Sequence, residues 1–262
     1  MMEIYSASDN CPLQAQKTAQ KPQIAVYEGN ISPLLTSTAY FLGYHFLLPF
    51  FFGQIQITGQ EHIPTTGPVI LAPTHRARWD ALLLAYAAGR YVTGRDLQFM
   101  VTVDECQGLQ GWFVRRMGGF PVDTKRPAIA TLRHAVEVLQ QGKMLVIYPE
   151  GNIFRDGKVH TLKPGISRLA LSAESYQPGL EVKIIPVGIN YSEPYPSWGA
   201  DVMINIGPAI NVKDYTIGKA KQNAKQLTED LSKSLQKLTS PELTICNHGF
   251  AEVPIHSLHN HF

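Results

Sequence analysis

His75 and Asp80 lie five residues apart, just after an apolar run, Pro-Val-Ile-Leu-Ala-Pro-Thr. Between them come Arg76, Ala77, Arg78 and Trp79, so two guanidiniums share the turn. A carboxylate on one imidazole nitrogen fixes the tautomer and leaves the other nitrogen as a base for a hydroxyl proton. Such a pair is the relay half of a triad that has no serine, and its nucleophile would be the substrate's own hydroxyl. The spacing sets a condition. On a continuous helix, residues five apart point about 140° away from each other. The pair is useful only if His75 lies in the turn and Asp80 begins the next helix. The block also has a plainer reading, in which Asp80 caps a helix and His75 is a loop residue.

A second polar cluster, Tyr-Pro-Glu-Gly-Asn-Ile-Phe-Arg-Asp-Gly, occupies 148–157 and follows another apolar run. In an open α/β sheet, sites gather where loops leave the carboxyl ends of strands. Both clusters fall at such places once the elements are drawn. Residues 68–75, 143–151, 182–191 and 201–210 read as strands, and 97–105 is rich in β formers. Residues 80–91 read as a helix with Asp80 in its first turn, and 107–119 as a short helix ended by glycines. Residues 127–142 form a helix from Pro127 to Gly142 with Ile129, Leu132, Val136 and Leu139 on one face. Residues 163–175 present Ile166, Leu169, Ala170 and Ala173 inward. Residues 220–238 present Leu227, Leu231, Leu235 and Leu238. Strands alternating with helices predict an α/β fold: one domain with a mostly parallel central sheet flanked by helices.

The 262 residues are 44% apolar and 17% charged, which suits a sizeable core and excludes wholesale disorder. A net charge of +2 makes no case for nucleic acid. Cys11, Cys106 and Cys246 are odd in number and widely spaced, so a reducing compartment is expected and neither a disulfide framework nor a metal spacing is seen. Residues 1–30 read as a polar flexible arm without the pattern of a secretory leader. Residues 31–55 form an apolar helical segment, densest over Ala39 to Phe52 and carrying seven aromatics within 13 residues. That run is short for a membrane span, which wants ~20 residues, and His45 and Pro49 interrupt it. Its aromatics are the types that settle at a membrane–water boundary, so a membrane-interface segment is expected ahead of a core helix.

Four blocks, in order, resemble the glycerolipid acyltransferases, the 1-acylglycerol-3-phosphate acyltransferase family. They are the H-x4-D block from His75 to Asp80, Gly-Gly-Phe-Pro-Val-Asp-Thr-Lys-Arg (118–126), Tyr-Pro-Glu-Gly-Asn-Ile (148–153) and Ile-Ile-Pro-Val-Gly (184–188). The resemblance covers about residues 55–210, and it makes 56–240 an acyltransferase domain followed by a tail, 241–262. It implies His75 as general base and Asp80 as its orienter. Glu150, Gly151 and Gly119 would shape the substrate pocket. The reaction would move a fatty acyl group from an acyl thioester, on CoA or acyl carrier protein, to a glycerolipid hydroxyl in phospholipid biosynthesis, with 1-acylglycerol-3-phosphate first among acceptors. The thioester is a substrate; no cofactor and no metal are expected. Partners would be membrane lipid and the acyl donor, at the cytoplasmic face of a membrane, peripheral or monotopic.

Two departures bear on the acceptor. Where the family's second and third blocks commonly place arginines, this chain has Thr124 and Ile153. Lys125, Arg126 and Arg155 lie close enough in sequence to substitute as holders of a phosphate, and Arg76 and Arg78 are alternatives inside the first block. The same departures motivate a lipid-binding relative without activity, or a different lyso-lipid acceptor. A hydrolase using water is a third reading, although no G-x-S-x-G elbow is present. The tail histidines His248, His256, His259 and His261 fit no metal-site spacing and read as a loosely packed terminus.

Overall fold

A computed structural model describes residues 31–123 and 128–240. The expected arm and tail lie outside the described residues, as do Thr124, Lys125, Arg126 and Pro127. The chain enters through α1 (Pro33–Leu42), a π-helical turn (Gly43–Leu47) and α2 (Leu48–Phe51). Then come β1 (Ile55–Thr58), β2 (Val69–Pro73), α3 (Asp80–Ala88), α4 (Arg90–Thr93), β3 (Leu97–Thr102), α5 (Gly108–Arg116) and β4 (Gly119–Val122). The second half holds α6 (Ile129–Gln140), β5 (Met144–Val146), α7 (Gly165–Tyr176), β6 (Lys183–Tyr191), β7 (Val202–Ile206), β8 (Ile210–Asn211) and α8 (Ala220–Leu238).

The eight strands form one sheet in the order β1-β7-β6-β2-β5-β3-β4, with β8 on β6. Strands β2 to β6 all run one way, and the antiparallel pairs are β6·β7 and β6·β8. The expected α/β architecture is therefore the observed one. Every residue of β2, β5 and β7 is buried, as strands covered on both faces require. Alternation divides them between two cores. Ile70, Leu145 and Ile184 meet α6, α7 and α8, whereas Val69, Leu71, Val146 and Ile185 meet α2 and α3.

Local readings shift in four places. The helix over 107–119 is α5, which stops at a turn with Gly118 at φ 91°, and Gly119–Val122 adds an edge strand that the pattern did not show. The 201–210 run is two strands, divided at Gly207 and Pro208. In α6 the buried positions are Thr131, Ala135, Val136, Val138 and Leu139, while Ile129 and Leu132 are exposed. Burial there centres on small residues that the apolar pattern does not highlight. Finally, the apolar helix is not interrupted at Pro49. Pro33–Phe51 is one helix, by length and composition able to cross a membrane. The π turn lies just ahead of Pro49 and widens the helix where the proline ring lacks an N–H and crowds the preceding turn. One side of this helix packs on the domain through Thr36, Tyr40 and Leu48, and the other exposes Leu34, Phe41, Phe46 and Phe50.

Candidate active site

β6 continues to Tyr191, beyond the point where its partner β2 ends opposite Val187. Buried Thr74 bridges that step. Its N–H donates to the Val187 carbonyl (2.9 Å), and its hydroxyl accepts from the Ile189 N–H (2.9 Å). The chain can then leave the sheet, and His75 stands in the turn while Asp80 opens α3. The geometric condition set by the five-residue spacing is met.

His75 Nδ1 lies 2.8 Å from Asp80 Oδ2. Asp80 is fully buried, while the His75 side chain keeps 21% of its surface. The same Oδ2 accepts the backbone N–H groups of Arg76 (2.6 Å) and Ala77 (2.9 Å), and Oδ1 accepts the Tyr191 hydroxyl at 2.6 Å. Four donors at the amino end of a helix offset the cost of burying the carboxylate. With Nδ1–H facing Asp80, the lone pair sits on Nε2, which bonds no described residue. The Tyr148 ring stacks on the imidazole, centroids 4.0 Å apart and planes 23° apart. Burial first, and the Asp80 charge second, push the phenols of Tyr148 and Tyr191 well above the usual tyrosine range, so both stay neutral.

The second cluster joins the first. Glu150, buried, accepts the His75 N–H (3.0 Å) and Arg76 Nη1 (2.9 Å) on Oε2, and the His160 N–H (2.9 Å) on Oε1. The Phe154 N–H donates to the His75 carbonyl (2.9 Å). Arg76 also donates to the carbonyls of Phe154 and Lys158 (3.3 and 3.0 Å). Arg76 is therefore a buried strut between the two loops, not a cation open to substrate. Glu150 orients the backbone that carries His75 rather than lining open space.

The other named residues fall in different places. Arg78 is exposed and grips Glu105 with bonds of 2.7 and 2.6 Å. Arg155 is exposed, its guanidinium 4.7 Å from the Tyr195 ring centre. Gly151 has φ 68°, a conformation that favours glycine, and the stem of Lys163 lies where its Cβ would be, with Nζ 2.5 Å from that point. Gly119 sits on β4, three strands from β2, and a Cβ there would meet Val114. Its role is packing of α5 on the sheet edge. Lys125 and Arg126 lie outside the described residues.

Sequence reading missed Tyr191, Lys163 and the stacking of Tyr148. The rule that flags the carboxyl ends of strands covers Tyr191 as well as His75. Lys163 gave no signal, because its approach to Gly151 is made across a loop.

The sequence profile of the family described as Acyltransferase matches residues 54–190, more than half of the chain and inclusive of both clusters. Mouse mitochondrial glycerol-3-phosphate acyltransferase 1 is 31% identical over 157 residues, 54% of this chain and 19% of that protein. The chain thus spans about a fifth of that relative. The 1-acyl-sn-glycerol-3-phosphate acyltransferase of Streptococcus pneumoniae is 25% identical over 60% of this chain and 58% of its own. The crystal structure of the 1-acyl-sn-glycerophosphate acyltransferase PlsC from Thermotoga maritima superposes with a TM-score of 0.55 at 20% identity, covering 79% of this chain and 78% of that one, which establishes the shared fold. With the profile spanning His75, Asp80 and Glu150 alike, the chain belongs to the acyltransferase family that its four sequence blocks resemble.

Proposed function

We propose that the protein transfers a fatty acyl group from a thioester, acyl-CoA or acyl carrier protein, to a hydroxyl of a phosphate-bearing glycerolipid, with 1-acylglycerol-3-phosphate as the leading acceptor. The observation that carries this reading is the His75–Asp80 contact, with Nε2 left open beside a partly exposed ring. The acceptor hydroxyl donates to Nε2. As its oxygen attacks the thioester carbonyl, His75 takes the proton and Asp80 stabilises the imidazolium. The tetrahedral adduct collapses with loss of the thiolate, which recovers the proton from His75. Unengaged amides of the first turn of α3 suit the developing oxyanion; the N–H groups of Gly151, Asp80 and Leu83 are already taken by the carbonyls of Tyr148, Ala77 and Trp79.

For the acceptor phosphate, Arg155 and Lys163 fit best. Both are exposed cations on the loops around Glu150, and neither has an ion-pair partner among the described residues. Glycerol-3-phosphate, named in the mouse relative, offers the same phosphate and is the second reading. For localisation, the exposed face of Leu34, Phe41, Phe46 and Phe50 suits the interface of a membrane at its cytoplasmic side. The packing of the opposite face, with Tyr44 stacked 4.4 Å from Tyr86, favours a helix lying along the surface over one crossing the bilayer.

The test is a panel of lyso-lipids and glycerol-3-phosphate offered with acyl-CoA and acyl carrier protein donors, read by product mass. Acylated phosphate acceptors are expected. Free fatty acid alone would make the protein a hydrolase, and bound lysolipid with no turnover would make it a binding protein.

A further inference from the structure

Asp80 has one side-chain partner from outside its own loop among the described residues, and it lies 111 residues further along the chain. Tyr191, the last residue of β6, places its hydroxyl 2.6 Å from Oδ1. The two carboxylate oxygens are thereby distinguished. Oδ2 serves the imidazole and two loop amides, and Oδ1 serves the phenol. Tyr191 is itself held. Its backbone is in register with Val202 of β7, and its ring lies 6.1 Å from that of Phe52, the residue that ends the apolar helix.

We propose that Tyr191 is a positioning residue for the base. By bonding Oδ1, it draws negative charge away from Oδ2, the oxygen that the Arg76 and Ala77 amides hold on the His75 side. This rests on reading His75 and Asp80 as the base and its holder. Among the described residues, the other charged groups facing the pair are Glu150 and Arg76, which lie against each other behind the His75 backbone, and the titratable neighbour Tyr148 stacks on the ring as a neutral phenol. Burial and the Asp80 charge keep the Tyr191 phenol protonated, so it donates throughout the working pH range. Without that hydroxyl, Asp80 still holds its loop amides and its charge concentrates toward the imidazole. The imidazolium is then stabilised. Because the base acts when neutral, activity is lost at a higher pH than in the parent.

The test is Tyr191→Phe in the full chain. Tyr215→Phe, which likewise removes a tyrosine bond to an aspartate (Asp230) in a different part of the protein, is the control. The acid limb of kcat/KM should move up by about half a unit to one unit, the worth of one ordinary hydrogen bond. The His75 ring titration followed by NMR should move with it, while Tyr215→Phe leaves both in place. Incorporating 3-fluorotyrosine at position 191, a stronger donor of nearly the same shape, should move the limb the other way and serves if the phenylalanine variant does not fold. A limb and a ring titration unchanged in both variants would overturn the proposal. His75→Ala separates this from the reading beneath it. Retained turnover there removes His75 as the base, whereas lost turnover with an unmoved titration in Tyr191→Phe removes only the role given to Tyr191.

Discussion

His75 is held by contacts that do not use Nε2: the Asp80 carboxylate at Nδ1, Tyr148 on a ring face, and Glu150 and Phe154 on its backbone. Replacing it with alanine removes the proposed base and its two ring contacts but keeps the backbone bonds with Glu150 and Phe154, and Asp80 keeps its bonds from the Arg76 and Ala77 amides and Tyr191. His75→Ala is expected to lower kcat by roughly 10²–10⁴-fold, the range for general-base loss, with the circular dichroism spectrum unchanged. Gly151→Ala tests the neighbouring cation. The added methyl must displace the Lys163 stem and forces a positive φ on alanine. A rise in KM for phosphate-bearing acceptors is expected, about tenfold, with kcat less affected, and Lys163→Ala should reproduce it. Equal KM values in these variants and the parent would leave Arg155 as the remaining described candidate.

At the scale of elements, the helix Pro33–Phe51 does two jobs. Its inner face reaches the core through close contacts, and Gly89 is what permits one of them. A Cβ at Gly89 would lie 2.6 Å from the Tyr40 ring. Its outer face presents large apolar side chains, Leu34 at 80% exposure and Phe50 at 70%. Changing Phe41, Phe46 and Phe50 together to serine should weaken sedimentation with phospholipid vesicles at least tenfold and lower the melting temperature only by several degrees, since these side chains are about half exposed or more on the folded chain. The carboxyl end of the same helix touches the His75–Asp80 turn. Phe51 lies 4.3 Å from Trp79, ring centre to ring centre, and Trp79 precedes Asp80. The helix with the exposed apolar face and the turn that carries His75 are in direct contact.

At the scale of the molecule, the site is where three parallel strands end side by side. β2 supplies the His75 turn, β5 the Glu150 loop and β6 Tyr191, and β2 lies between the other two. The buried Arg76–Glu150 pair ties the first two loops together. Breaking one half of such a pair leaves an uncompensated buried charge. Glu150→Ala is therefore expected to cost about 3–5 kcal/mol, a fall in melting temperature of roughly 6–20 °C for a domain of this size. Replacing both, Arg76→Met with Glu150→Leu, should recover much of that stability without recovering activity, because the carboxylate that holds the His75 N–H is still gone. Calorimetry and turnover measured together on the two variants distinguish a strut from a mere surface contact.

The sequence by itself determined the α/β alternation, the inward faces of the helices 163–175 and 220–238, and both polar clusters, because period and residue type are local properties of the chain. It also gave the condition on His75 and Asp80, since five residues on a helix cannot face one another and five across a turn can. Only the tertiary structure decided which cations are free. Arg76, Arg78 and Arg155 look alike in the chain, yet one is buried against Glu150, one is gripped by Glu105 and one lies over Tyr195. It likewise decided the approach of Lys163 to Gly151, the meeting of Glu150 with the His75 backbone and the bond from Tyr191 to Asp80 across 111 residues. Partners so far apart in sequence are set by strand order and register, and those follow from how the whole sheet buries its two faces, which no local pattern records.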